Sequence, residues 1–263
     1  MNLGLKDRVA IVAAASSGLG KEVALVLSEE GARVAICSRH RERIEPAGEE
    51  IRARTGGDVL ALVADVTVEA DITSVVSETL TRLGRIDILV CNAGGPPAGF
   101  FSDFTSDDWR KAVELNFIST VNLCRAVVPH MRERHWGRII NITSIAAKQP
   151  VDNLILSNAV RAGVLGFSKS LSNQVAADNI TVNCVCPGYT LTERLQSLSE
   201  ATARKEGIDI EEVHRRWQAG IPMKRLGQPR EFADVVAFLA SERASYVTGA
   251  ALQIDGGMVK GLF

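Results

Sequence analysis

Short runs rich in Val, Ile, Leu and Ala recur along this chain, each bounded by turn residues and each too short to be a helix. They are Val9–Ala15, Arg33–Cys37, Val59–Val63, Ile86–Cys91, Arg138–Ile142, Ile180–Val185 and Ala251–Ile254. Most are continuous rather than alternating, which is the pattern of strands covered on both faces of a parallel sheet. Amphipathic stretches of helical length fill the gaps: Gly20–Glu30, Arg41–Arg54, Glu69–Leu83, Ser106–Glu133, Asn153–Ala177 and Arg230–Ser241. Gly31, Gly84 and Gly137 stand where these helices should stop. Strand–helix alternation with right-handed crossovers predicts an α/β fold: a doubly wound parallel sheet of about seven strands with helices on both faces.

The alternation runs through all 263 residues without a Pro- or Ser-rich linker, so a single domain over 1–263 is expected. One segment breaks the rhythm. Residues 190–223 are long, charged and partly helical, and an insertion after a strand's carboxyl end is a candidate lid over a ligand crevice. A formal net charge of -1 and no basic stripe give no case for a nucleic-acid partner. No apolar run reaches membrane-spanning length, and polar Asn2, Lys6, Asp7 and Arg8 open the chain, so a cytoplasmic protein without membrane attachment is expected. Five scattered cysteines and no clustered ligand spacing predict reduced, packed thiols and no metal.

After the first strand comes Ala13-Ala14-Ala15-Ser16-Ser17-Gly18-Leu19-Gly20. A Gly-containing strand-to-helix turn brings backbone N–H groups and a helix N-terminus to a pyrophosphate, and Ser16, Ser17, Gly18, Leu19 and Gly20 are the candidates here. At the end of the second strand, where a site for an unphosphorylated ribose commonly carries an acid, stand Ser38, Arg39 and His40. A guanidinium meets a 2′-phosphate bidentately, so NADP(H) is favoured over NAD(H).

These motifs resemble the short-chain dehydrogenase/reductase family, whose Rossmann-type fold carries the turn TGxxxGxG. The resemblance covers nearly the whole chain and is nearest the 3-oxoacyl-(acyl-carrier-protein) reductase branch. Ala14 stands at the family's first Gly, where a Cβ is expected to crowd the cofactor or push the loop outward. Asp65-Val66 resembles the family's adenine-contacting pair, Asn92-Ala93-Gly94 its NNAG turn, and Pro187-Gly188 with Thr190 and Thr192 its PGxxxT stretch beside the nicotinamide. The resemblance also implies a homotetramer, with Ser106–Glu133 and Asn153–Ala177 at one interface.

The family's catalytic set is Asn, Ser, Tyr and Lys. Asn116 and Ser144 match the first two, but the Tyr and Lys positions hold Ser157 and Arg161. A phenol has a pKa near 10 that an adjacent ammonium lowers, whereas a serine hydroxyl is a far weaker acid. Arg161, one turn beyond Ser157, keeps a charge for ribose or oxyanion but does not readily give up a proton. Ser144 with a water held by Asn116, or Lys148 or Tyr189 from adjoining loops, are candidate proton sources. Pro96, Pro97, Phe100, Phe101 and Leu154 are expected to line an apolar substrate pocket. The expected activity is NADP(H)-linked reduction of a small-molecule carbonyl, 3-oxoacyl-like, or oxidation of the alcohol. The alternative is a catalytically impaired homologue that acts as a nucleotide-binding sensor or oligomer subunit.

Overall fold

The computed structural model describes residues 2–262. Seven strands form one parallel sheet: β1 (Val9–Ala13), β2 (Arg33–Ser38), β3 (Val59–Val63), β4 (Ile88–Cys91), β5 (Gly137–Ile142), β6 (Ile180–Pro187) and β7 (Ala251–Ile254). Their order is β3-β2-β1-β4-β5-β6-β7. The direction of winding reverses between β1 and β4, and that reversal opens a crevice at the carboxyl ends of the strands.

Strand β1 explains why continuous apolar runs were required. Ala10 and Val12 face one core, while Val9, Ile11 and Ala13 face the other. Helices α1 (Gly18–Glu29), α2 (Arg41–Thr55) and α9 (Pro229–Ala240) cover the first face, through Val23, Leu27, Ile44, Ile51, Phe232 and Val236. The second face is covered by α3 (Glu69–Leu83), α5 (Ser119–Glu133) and α6 (Ile155–Val175), through Ile72, Val75, Val127, Met131 and Val175. Gly31 and Gly84 adopt positive φ where α1 and α3 end, as their placement in the sequence implied.

The long helix expected over Ser106–Glu133 is interrupted. It runs as α4 (Ser106–Val113), a π-helical turn over Glu114–Ile118, and then α5. A π-turn widens the backbone by one residue and is frequent at functional sites; here it carries Asn116. The segment after β6 folds as α7 (Glu193–Glu206) and α8 (Ile210–Gly220), with a small apolar cluster of its own around Leu195, Ile221 and Leu226. Among the described residues no helix is long and apolar enough to cross a membrane.

At the amino ends of the strands, opposite the crevice, a charged network is buried. Asp87, wholly inaccessible, accepts from Val9 N at 2.9 Å and from Arg85 at 2.5 Å, with Arg8 at 3.5 Å. The Trp136 ring lies between two guanidinium groups, Arg8 at 3.8 Å and Arg138 at 4.3 Å from its centroid. All five cysteines are buried free thiols; burial pushes Cys37 up to about 11 and Cys184 up to about 12, so both stay protonated.

Candidate active site

A cleft of about 470 Å³ lies over the carboxyl ends of the strands at the β1/β4 reversal. Every expected cofactor residue except Gly20 faces it, from Ser16–Leu19 through Ser38, Arg39, Asp65, Val66 and Asn92–Gly94 to Pro187, Gly188, Thr190 and Thr192. Ser144, Ser157 and Arg161 face the same space. Residues separated by well over a hundred positions thus converge because each follows the end of a neighbouring strand.

Gly20 is not on the cleft wall; it lies beneath the turn. A Cβ there would sit 2.6 Å from Ala14 O and 2.7 Å from Asn92 Nδ2, so backbone and amide pack where a side chain cannot go. Asn92 Nδ2 donates to Ala14 O at 3.2 Å and ties the β4 loop to the turn. This packing leaves the Ser16–Leu19 backbone on the cleft wall at the N-terminus of α1, the cradle a dinucleotide phosphate needs.

Ala14 reaches this cradle at a cost. Its φ is +48°, in the left-handed region that disfavours a Cβ. The strain falls on the backbone of Ala14 itself, which lines the cleft. Ala14→Gly relieves that strain but loosens the unfolded chain, leaving a net gain of ~0.5–1 kcal/mol and a rise in Tm of about 2 °C. Calorimetry checks this; a lower Tm would mean the backbone is relaxed as it stands.

At the end of β2, Ser38 Oγ is buried on the cleft wall without a hydrogen-bond partner, and exposed Arg39 has no ion pair among the described residues. Arg43 was not foreseen. From the first turn of α2 it lines the cleft and donates to Glu193 at 2.5 Å, joining α2 to the start of α7. That bond holds the Glu193 carboxyl below the usual carboxylate range. Asp65 Oδ1 is already engaged, accepting from Thr67 N and Thr67 Oγ1.

Four residues were expected to carry chemistry. Ser144 Oγ accepts from Ala146 N at 3.1 Å and caps the short turn after β5, which leaves its proton free to be donated. Asn116 stands behind the wall: Nδ2 donates to Gly94 O at 2.9 Å, and buried Oδ1 has no partner. Ser157 is buried on the first turn of α6. Arg161, one turn on, is buried without a carboxylate and donates through Nη1 to Ile142 O at 3.1 Å and Thr143 O at 2.9 Å. Burial, with the charge of Arg194 adding, pulls its pKa down to about 10, so the guanidinium is still cationic at neutral pH.

The expected substrate lining needs correction. Pro96 and Leu154 line the cleft, but Pro97, Phe100 and Phe101 do not; Phe101 is 73% exposed. The β4 loop turns these rings outward, and Lys205 sits over Phe100 at 5.1 Å. The apolar wall comes instead from Val151, Leu195 and Leu198, the last two on α7. Lys148 is not on the wall. Tyr189 is, but its ring stacks on Trp217 with centroids 4.7 Å apart, and burial raises its pKa, making it a weaker acid.

A parallel sheet in this order, with a glycine-bearing phosphate turn, an Asn92-Ala93-Gly94 loop and a Ser144 strand end around one cleft, is one family's arrangement. The family described as Enoyl-(Acyl carrier protein) reductase is matched over residues 13–259. The chain belongs to the short-chain dehydrogenase/reductase family. The 3-oxoacyl-(acyl-carrier-protein) reductase FabG of Chlamydia muridarum is 33% identical over 98% of this chain and 100% of its own length. The NADPH-dependent reductase BacG of Bacillus subtilis is 32% identical over 98% of this chain and 100% of its own. The L-sorbose reductase of Gluconobacter frateurii, solved with NADPH and L-sorbose, superposes with a TM-score of 0.95 at 34% identity, covering both chains in full.

Proposed function

We propose that this chain is an NADP(H)-dependent oxidoreductase that reduces a carbonyl, 3-oxoacyl-like in size and polarity, or oxidises the corresponding alcohol. The observation that carries the cofactor choice is the end of β2: the partnerless Ser38 hydroxyl and unpaired Arg39 stand on the cleft wall where an acid would exclude a 2′-phosphate. The backbone of Ser16–Leu19, on the cleft wall at the N-terminus of α1, fits the dinucleotide's diphosphate. NADPH-dependent relatives and an NADPH-bound structural neighbour support the same reading. The named relatives give the sensor alternative no support.

The cofactor supplies the hydride; the chain's residues position and protonate. Asn92 and Gly20 hold the turn, and Pro187–Thr192 form the opposite wall, pinned where Gly188 N donates to Ile254 O at 2.9 Å. Ser144 Oγ–H donates to the substrate oxygen. Asn116 Oδ1, a buried acceptor in need of a donor, holds a water that relays a proton from solvent back to Ser144. Arg161 faces negative charge developing on that oxygen. Residues 190–223 act as the lid, contributing Leu195 and Leu198 to the substrate side.

Titration with NADPH and then NADH, followed by energy transfer from Trp109, Trp136 and Trp217, tests the assignment. Trp217 is the natural reporter because its partner Tyr189 lines the cleft. NADPH binds more tightly, and Arg39→Ala weakens it about 10- to 100-fold while NADH changes about twofold at most. If neither nucleotide binds, the oxidoreductase reading fails. A homotetramer in the cytoplasm completes the proposal; sedimentation velocity reads the first and cell fractionation the second.

A further inference from the structure

The first residues of α7 press on three different walls of the cleft. Thr192 lies against the phosphate turn, its Cβ 3.6 Å from where a Cβ on Gly18 would be. Glu193 is held by Arg43 from the β2 side. Arg194 crosses to the β4 loop, where Nη2 donates to Pro96 O at 2.8 Å and the guanidinium lies 3.3–3.5 Å from the Cβ position of Gly95. Its side chain therefore bridges the cleft between the phosphate-turn wall and the Gly94–Pro96 wall.

We propose that Arg194 is an anion clamp that closes over the diphosphate of the bound dinucleotide. The inference rests on the NADP(H) reading above. Among the described residues Arg194 has no acidic partner, and the cleft's two carboxylates are engaged elsewhere, Glu193 by Arg43 and Asp65 by Thr67. The Arg194 guanidinium spends Nη2 on a carbonyl, Pro96 O, and its charge is left open to an anion in the cleft. A diphosphate offers the negative charge and the paired oxygens that a guanidinium fork engages bidentately. The clamp also answers the strain at Ala14: where the turn's backbone is less at ease, a side chain from the lid adds phosphate affinity. Because Arg194 belongs to α7, gripping the cofactor also draws Leu195 and Leu198 over the substrate side.

The test is NADPH titration of the wild type, Arg194→Met and Arg194→Lys, with adenosine 2′-monophosphate as a competitor that lacks the diphosphate. Arg194→Met weakens NADPH about 10- to 30-fold, Arg194→Lys less, and the 2′-monophosphate stays within about twofold. The unfolding midpoints stay together, since Arg194 is an exposed residue. Unchanged NADPH affinity in Arg194→Met overturns the clamp. So does an equal loss for both ligands, which marks a general attraction, and so does an effect confined to KM for the carbonyl substrate, which assigns Arg194 to a substrate anion. A wild type that binds no nucleotide sinks the NADP(H) reading itself; a wild type that binds beside an unaffected variant sinks the clamp alone.

Discussion

Ser157→Tyr combined with Arg161→Lys raises kcat for a simple ketone by about 10²–10⁴-fold, the usual contribution of a positioned general acid. Ser157 is buried at the edge of the 470 Å³ cleft, so a phenol built there projects into open space rather than into packed core. Arg161 now spends Nη1 on Ile142 O and Thr143 O. A lysine ammonium is a compact charge with three donors, able to keep a carbonyl contact and still lower the pKa of a neighbouring phenol. The two changes should be strongly coupled. Ser157→Tyr alone supplies a phenol with no ammonium beside it, which is a weaker acid. Arg161→Lys alone supplies an ammonium with no phenol to acidify. Steady-state NADPH consumption in both single variants and the double variant measures this. If the double variant binds NADPH as the wild type does yet gains no turnover, the cleft serves other chemistry and the proton route through Ser144 is wrong.

Asp87→Ala lowers stability by ~3–5 kcal/mol, the range for stranding buried charge, and lowers Tm by about 10 °C. Asp87 is the shared acceptor for Val9 N, Arg85 and Arg8 at the foot of the sheet. Removing it leaves the first N–H of β1 unpaired in the core and the Arg85 guanidinium without its acid, while Arg8 keeps Glu242. Asp87→Asn keeps an acceptor for Val9 N and costs about half as much. Chemical denaturation of both variants reads the difference. Because the network lies at the opposite end of the strands from the cleft, NADPH affinity of the folded fraction is unaffected. A small loss in Asp87→Ala would show that Glu242, which also accepts from Arg8 at 2.6 Å, carries the network instead.

Much of the site was legible in the sequence because each element announces itself locally. Gly18 and Gly20 follow an apolar run, Arg39 follows another, and Ser144 follows a third. Once the runs are known to lie side by side, their carboxyl ends must share one edge. The β4 loop was misjudged for the converse reason. Phe100 and Phe101 look like pocket residues by composition, but which way a loop ring points is set by neighbours such as Lys205, about a hundred positions away.

The sequence by itself determined the parallel sheet, its crevice and the sign of charge at the end of β2. Burial on two faces imposes a continuous apolar run on each strand, and that signature is short-range. Only the tertiary structure decided that Ala14 bears a left-handed φ, that a π-turn sets Asn116 against Gly94, and that Arg43 and Arg194 reach the cleft from α2 and α7. The contacts among these join separate segments of the chain, and the Ala14 dihedral is set by the turn packed around it. Such contacts leave no periodicity to read, because packing decides which distant side chains meet.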